Sequence, residues 1–114
     1  MLHWKVGNVT ITSVAELDDG AVPGPIYVFG DPIIILRSHR SQGAPIPGWG
    51  PEFLDIRAWR ELYGDLRARP PAYIVVDGYV GSFVERRYPK ILSFIRSAYE
   101  VAFVGESGTW YRRR

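Results

Sequence analysis

Two short, uninterrupted apolar runs constrain this chain most: Ile26-Tyr27-Val28-Phe29 and Tyr73-Ile74-Val75-Val76, each boxed in by chain breakers. Runs this short, rich in β-branched and aromatic residues and without polar alternation, fit strands buried on both faces. Pro23-Gly24-Pro25 precedes the first and Gly30-Asp31-Pro32 follows it, while Pro70-Pro71 and Asp77-Gly78 bracket the second. The 43 residues between them leave room for the crossover that a parallel pairing requires.

A crossover is written into that gap. From Glu52 to Arg69, Ile56, Trp59, Leu62, Tyr63 and Leu66 recur at the spacing of one helical face, with Arg57, Arg60, Glu61 and Asp65 mostly elsewhere. Ile91, Leu92, Ile95 and Tyr99 mark the face of a second helix, and Ser82 with Glu85 fits a capping box before Pro89 interrupts. Ile33-Ile34-Ile35-Leu36 is readable two ways. Its β-branching favours a strand and the Asp31-Pro32 start favours a helix, with the balance narrowly on the helix. Residues 41–51 hold three Gly and three Pro around Trp49 and form a loop.

At the two ends the pattern turns to hairpins. Trp4 to Val14 reads as strands joined at Gly7-Asn8 and closed off by Asp18-Asp19-Gly20, whereas Val101–Val104 and Thr109–Tyr111 flank Gly105–Gly108. The expected organisation is an N-terminal hairpin and linker over 1–24, then an α/β domain over 25–114. That domain is a small three-layer-like unit with a parallel core sheet (26–29, 73–76 and 100–104), crossover helices and a C-terminal antiparallel hairpin at the edge.

Composition narrows the functional classes. At 114 residues, 46% hydrophobic and 23% charged, the chain can bury a core, and the absence of Cys excludes disulfides and thiolate metal sites. The net charge of +2 gathers in Arg112-Arg113-Arg114 and Arg86-Arg87 and reads as a solvated tail, not a basic stripe, so no nucleic-acid partner is expected. No apolar run reaches the length of a transmembrane helix, and the N-terminus lacks the basic and apolar regions of a signal peptide. A soluble chain is expected, cytoplasmic as written.

Candidate chemistry is sparse. Asp31 and Asp77 each end a buried strand, where open α/β sheets gather ligands, so the two acids could hold a metal or a sugar hydroxyl; equally, Asp31 could cap a helix and Asp77 shape a turn. Trp49, in its Gly/Pro-rich loop, could stack on a sugar ring, seat on another domain or fold back onto the core. His3 and His39 lack further ligands at metal spacing. Ser38, Ser41 and Ser82 lack a nucleophile-elbow context, and the glycines form neither a P-loop nor a dinucleotide fingerprint. Glu52 and Asp55 suit the start of a helix. No catalytic centre and no cofactor are expected.

From Pro25 onward, "PIYVFGDPIIILRSHR", then "ELYGDLRARPPAYIVVDG", then "YPKILSFIRSAYEVAFVGESGTWYRRR" resembles the C-terminal extramembrane region of GT-C class membrane glycosyltransferases, the dolichyl-phosphate-mannose mannosyltransferase-like and aminoarabinose-transferase-like enzymes of bacteria. The resemblance covers roughly residues 25–114, and its specificity lies in the order and spacing of degenerate pieces. Such enzymes transfer sugar from a polyprenyl-phosphate donor, using acids in loops between membrane helices. The resemblance therefore implies a non-catalytic accessory domain on the exoplasmic side, partnered by a membrane glycosyltransferase module or a glycan acceptor. The alternative is a free-standing α/β binding module. The opening "WKVGNVTITSVAEL" resembles instead the first hairpin of metallo-β-lactamase-fold proteins, without their metal motif.

Overall fold

The computed structural model describes residues 22–105 and 108–114, together with the strand backbones of 5–6 and 9–10. The expected turn at Gly7-Asn8, the breaker Asp18-Asp19-Gly20, His3, and the turn residues Glu106 and Ser107 lie outside the described residues. Strands β1 (Lys5–Val6) and β2 (Val9–Thr10) pair antiparallel with Val6 opposite Val9, a two-stranded ribbon of their own.

Strand β3 (Ile26–Phe29) runs parallel to β4 (Tyr73–Val76) in register Ile26 to Tyr73, and both strands are wholly buried. Between them come helix α1 (Ile33–Ser38), a short 3₁₀ turn (Pro51–Phe53) and helix α2 (Ile56–Ala68). The ambiguous Ile-Ile-Ile-Leu run is thus helical. Its start is set by Asp31, whose Oδ1 accepts the Ile33 N–H at 3.0 Å. The expected helix from Glu52 divides at Leu54, because Asp55 provides a better start: its side chain accepts the Ala58 N–H at 2.8 Å. Trp59, Leu62 and Leu66 carry the buried face, whereas Ile56, in the first turn, is half-exposed.

After β4 come α3 (Gly78–Arg87) and α4 (Pro89–Ala98), separated by a break at Tyr88 before Pro89. The capping box expected at Ser82 does not form. The helix starts four residues earlier, and the Ser82 hydroxyl instead donates to the Gly78 carbonyl at 3.0 Å, inside the helix.

The chain ends in a hairpin of β5 (Tyr99–Gly105) and β6 (Gly108–Arg113). The sheet order is β3-β4-β6-β5, so the second hairpin strand inserts next to β4 and leaves β5 at the edge. Residues 100–104 therefore share the direction of β3 and β4 without pairing to them. The result is a mixed sheet with one parallel pair and two antiparallel ones.

Alternation along the strands divides the core. Tyr27, Phe29, Ile74, Val76 and Tyr111 face α2, α3 and α4, while Ile26, Val28, Tyr73, Val75 and Trp110 face α1 on the other side. Pro70-Pro71 stops α2 and also serves the hairpin. The Tyr99 hydroxyl donates to the Pro71 carbonyl, and Arg113 Nη1 donates to the Pro70 carbonyl at 2.9 Å.

The C-terminal arginines are not a solvated tail. Arg112 lies in β6 and donates through Nε and Nη2 to Glu100 on β5, at 3.2 and 3.0 Å. That carboxylate holds the guanidinium pKa above its ordinary value, with a smaller contribution from Tyr73. Cross-strand pairing of this kind holds the two strands in register. Much of the basic excess read from the sequence is therefore spent on the hairpin and on a backbone cap.

Candidate functional site

The carboxyl ends of β3 and β4 bring two of the three candidate residues together. The Asp77 N–H donates to the Phe29 carbonyl at 2.9 Å, and a Cβ placed on Gly30 would stand 3.0 Å from the Asp77 Cβ. Asp31 follows Gly30 directly, so both acids belong to one sheet edge.

Each acid is occupied locally. Asp77 is the N-cap of α3, its Oδ1 accepting the N–H groups of Tyr79 and Val80 at 2.9 and 3.1 Å. It does not shape a simple strand turn; Gly78 after it opens a helix. Asp31 accepts from Ile33 through one oxygen and is exposed to solvent. In both, one oxygen satisfies backbone donors that the helix start leaves without partners. What the arrangement offers a ligand is two further carboxylate oxygens as hydrogen-bond acceptors.

Around this edge lies apolar surface that the sequence pattern only partly announces. Trp49 does not fold back onto the core; it is 56% exposed. Phe53 and Tyr79 are more than four-fifths exposed, and Ile56 is half-exposed. The 3₁₀ turn that carries Phe53 packs against α3, the helix that Asp77 caps and that Tyr79 opens. A Cβ on Gly50, beside Trp49, would lie 3.4 Å from the Phe53 ring. The loop after Gly48 and the start of α3 thus carry three exposed aromatic rings, Trp49, Phe53 and Tyr79. Trp49 was legible as a candidate; Phe53 and Tyr79 were not, because each looks like an ordinary core residue at its own helix.

No other candidate gathers into a site. His39 is the left-handed C-cap of α1, with φ 57°. Ser38 is buried, its hydroxyl donating to the Ile35 carbonyl at 2.8 Å and accepting the Arg40 N–H at 3.2 Å. Glu52 sits in the first turn of the 3₁₀ segment and Asp55 caps α2. Among the described residues no group of three or more His, Cys, Asp or Glu could hold a metal ion, and no helix is long and apolar enough to cross a membrane.

One buried polar atom lacks a partner. Trp110 Nε1 is fully buried among the described residues with nothing accepting from it, and its ring stacks on Phe103 at 5.0 Å. It lies on the α1 face of the sheet.

No family model, curated protein or solved structure matches this chain.

Proposed function

We propose that this chain is a non-catalytic accessory domain of the kind that forms the extramembrane C-terminal part of polyprenyl-phosphate-sugar-dependent membrane glycosyltransferases. One observation carries the reading: each stretch of the resemblance supplies a strand or hairpin of one sheet with all or part of an adjoining helix. The first is β3 with α1, the second is the end of α2 with β4, and the third is α4 with the β5-β6 hairpin. Asp77 as the cap of α3 and Asp31 as the acceptor of the Ile33 N–H support a binding part more than a catalytic one, because each already spends an oxygen on backbone donors. A free-standing binding module is favoured by a different feature, the exposure of Trp49, Phe53 and Tyr79, which have the aromatic faces that stack on sugar rings.

Two measurements separate these readings. Sequencing the DNA on both sides of this segment tests the first: an in-frame run of membrane-spanning helices upstream is expected, and independent transcription without one would sink it. Titration of the purified domain with neutral oligosaccharides tests the second. Binding that is lost in Trp49→Ala, in a chain with no membrane neighbour, would establish the free-standing module instead.

A further inference from the structure

The geometry points to a phosphate-ester site in the groove between α2 and α4, which none of the candidate residues discussed above lines. The groove is open, has a volume of about 580 Å³ and falls in the size range of small-molecule sites. It is lined by Tyr63 and Arg67 from α2 and by Lys90, Ser93, Phe94 and Ser97 from α4. No acid lines it.

Helical spacing explains how the residues converge. Tyr63 and Arg67 are four apart on α2, while Lys90, Ser93 and Ser97 follow the three-and-four rhythm of one face of α4. From Lys90 to Ala98 the helix advances about 12 Å, enough to lie along one sugar ring and its phosphate.

The polar groups are available. Lys90 and Ser93 make no ion pair or side-chain hydrogen bond among the described residues. The Ser97 hydroxyl donates to the Phe94 carbonyl at 2.9 Å, so its lone pairs can accept from a sugar hydroxyl, while Ser93 is the hydroxyl left to donate to a phosphate oxygen. Arg67 lies over the Tyr63 ring, 5.3 Å from its centroid. That cation–π contact places the guanidinium, a planar donor fork suited to phosphate oxygens, beside the ring. Tyr63 is braced in turn by Tyr88, with centroids 5.7 Å apart, and Tyr88 stacks on Trp59. Two cations and a free hydroxyl donor, with no acid in the lining and two aromatic rings beside them, together select a phosphate monoester carried on a ring or other partly apolar body.

The test uses the whole chain, with amide shifts of Ser93 and Ser97 as the readout and three probes: glucose 1-phosphate, inorganic phosphate, and phosphatidylcholine vesicles containing phosphatidic acid. Glucose itself is the uncharged control. Saturable binding of glucose 1-phosphate is expected, weaker binding of inorganic phosphate, and none of glucose. The double variant Arg67→Gln/Lys90→Gln removes two charge-assisted bonds from exposed positions and should weaken binding at least about tenfold. Tyr63→Leu should erase the advantage of the sugar ester over inorganic phosphate. Ser93→Asp, which places an anion in the groove, is a second route to the same loss should the double variant not fold. Vesicle binding lost in the same variants would assign the ester to a lipid headgroup, and preference for the soluble ester would assign it to a free sugar phosphate. No saturable shift with any probe, or affinity unchanged in both groove variants, overturns the site.

Discussion

The two edges of the sheet meet solvent in opposite ways. At the β3 edge the chain after α1 returns and lies against the strand: Ile26 donates to the Ser41 carbonyl and accepts from the Gly43 N–H, both at 2.9 Å, with Gln42 bridged beside it. The Tyr27 hydroxyl then donates to the Ile46 carbonyl, and Gly48 presses against the Val28 carbonyl. At the β5 edge no described strand adds to the outer side, and Val101 and Val104 are 55% and 72% exposed. One edge is closed by a loop lying backbone to backbone against it, with Ala44 and Ile46 packed into the core; the other, among the described residues, is left open and broken only by a register shift between Val101 and Phe103. An edge can evidently be covered by a segment without regular structure, provided its backbone can come close enough.

Close approach makes Gly48 the sharpest place to break this contrast. A Cβ there would meet the Val28 carbonyl oxygen at 2.1 Å, backbone against backbone, so neither side can rotate away. Gly48→Ala is expected to lower stability by about 3 kcal/mol, the upper range for overpacking, in a urea titration followed by fluorescence. Gly64→Ala is the control: the added methyl meets nothing within 4 Å, and α2 should gain about 0.5–1 kcal/mol. Equal effects at the two glycines would show that the loop yields and does not truly seal β3.

A second pair of residues asks how firmly each edge is tied. Tyr27 binds the loop to β3 through Ile46, and Tyr99 binds β5 back to Pro71. Tyr27→Phe should cost about 1–1.5 kcal/mol, since the ring still packs but the Ile46 carbonyl loses its donor. Burial pushes both phenol pKa values up, well above the ordinary value near 10. The folded state therefore favours the neutral phenols. Their contribution is complete below the unfolded pKa of about 10 and declines as pH rises past it. Unfolding titrations from neutral to alkaline pH should show stability falling above that point, and falling less in Tyr27→Phe. A parallel decline in both proteins would remove the hydroxyl from the explanation.

The same comparison shows what was legible in the sequence. Residues 26–29 and 73–76 announced themselves because burial on both faces leaves no polar position, and their crossover helix showed in the spacing of Trp59, Leu62 and Leu66. Strand order was not legible. Nothing in the periodicity of 100–104 or 109–111 says that the later strand goes inside, since that choice rests on long-range pairing of Val75 with Trp110. Residues 41–51 read as a loop, but its role as an edge cover depends on contacts with residues about twenty positions away. Asp77-Gly78 was locally indistinguishable from a turn, and only the helix that follows makes it a cap. At the candidate site, position at the strand ends was readable for Asp31 and Asp77. The exposure of Phe53 and Tyr79 was not, because spacing reports which residues share a face and not which face is covered.

The smallest expected effect lies at the open edge. Val104 is 72% exposed on β5, so Val104→Lys removes little buried surface and should change stability by less than about 0.5 kcal/mol. Its consequence should appear between molecules. An exposed edge strand with apolar side chains offers its backbone to a second chain, and a lysine there makes that approach costly. Light scattering during slow heating should therefore show aggregation starting later in Val104→Lys than in the parent, at an unchanged midpoint of unfolding. The matching experiment at the covered edge is Gly48→Ala, which should aggregate earlier because β3 is uncovered as the loop is displaced. Identical scattering in the parent and in Val104→Lys would mean that the irregularity between Val101 and Phe103 already protects β5, and that the two edges are guarded equally by different means.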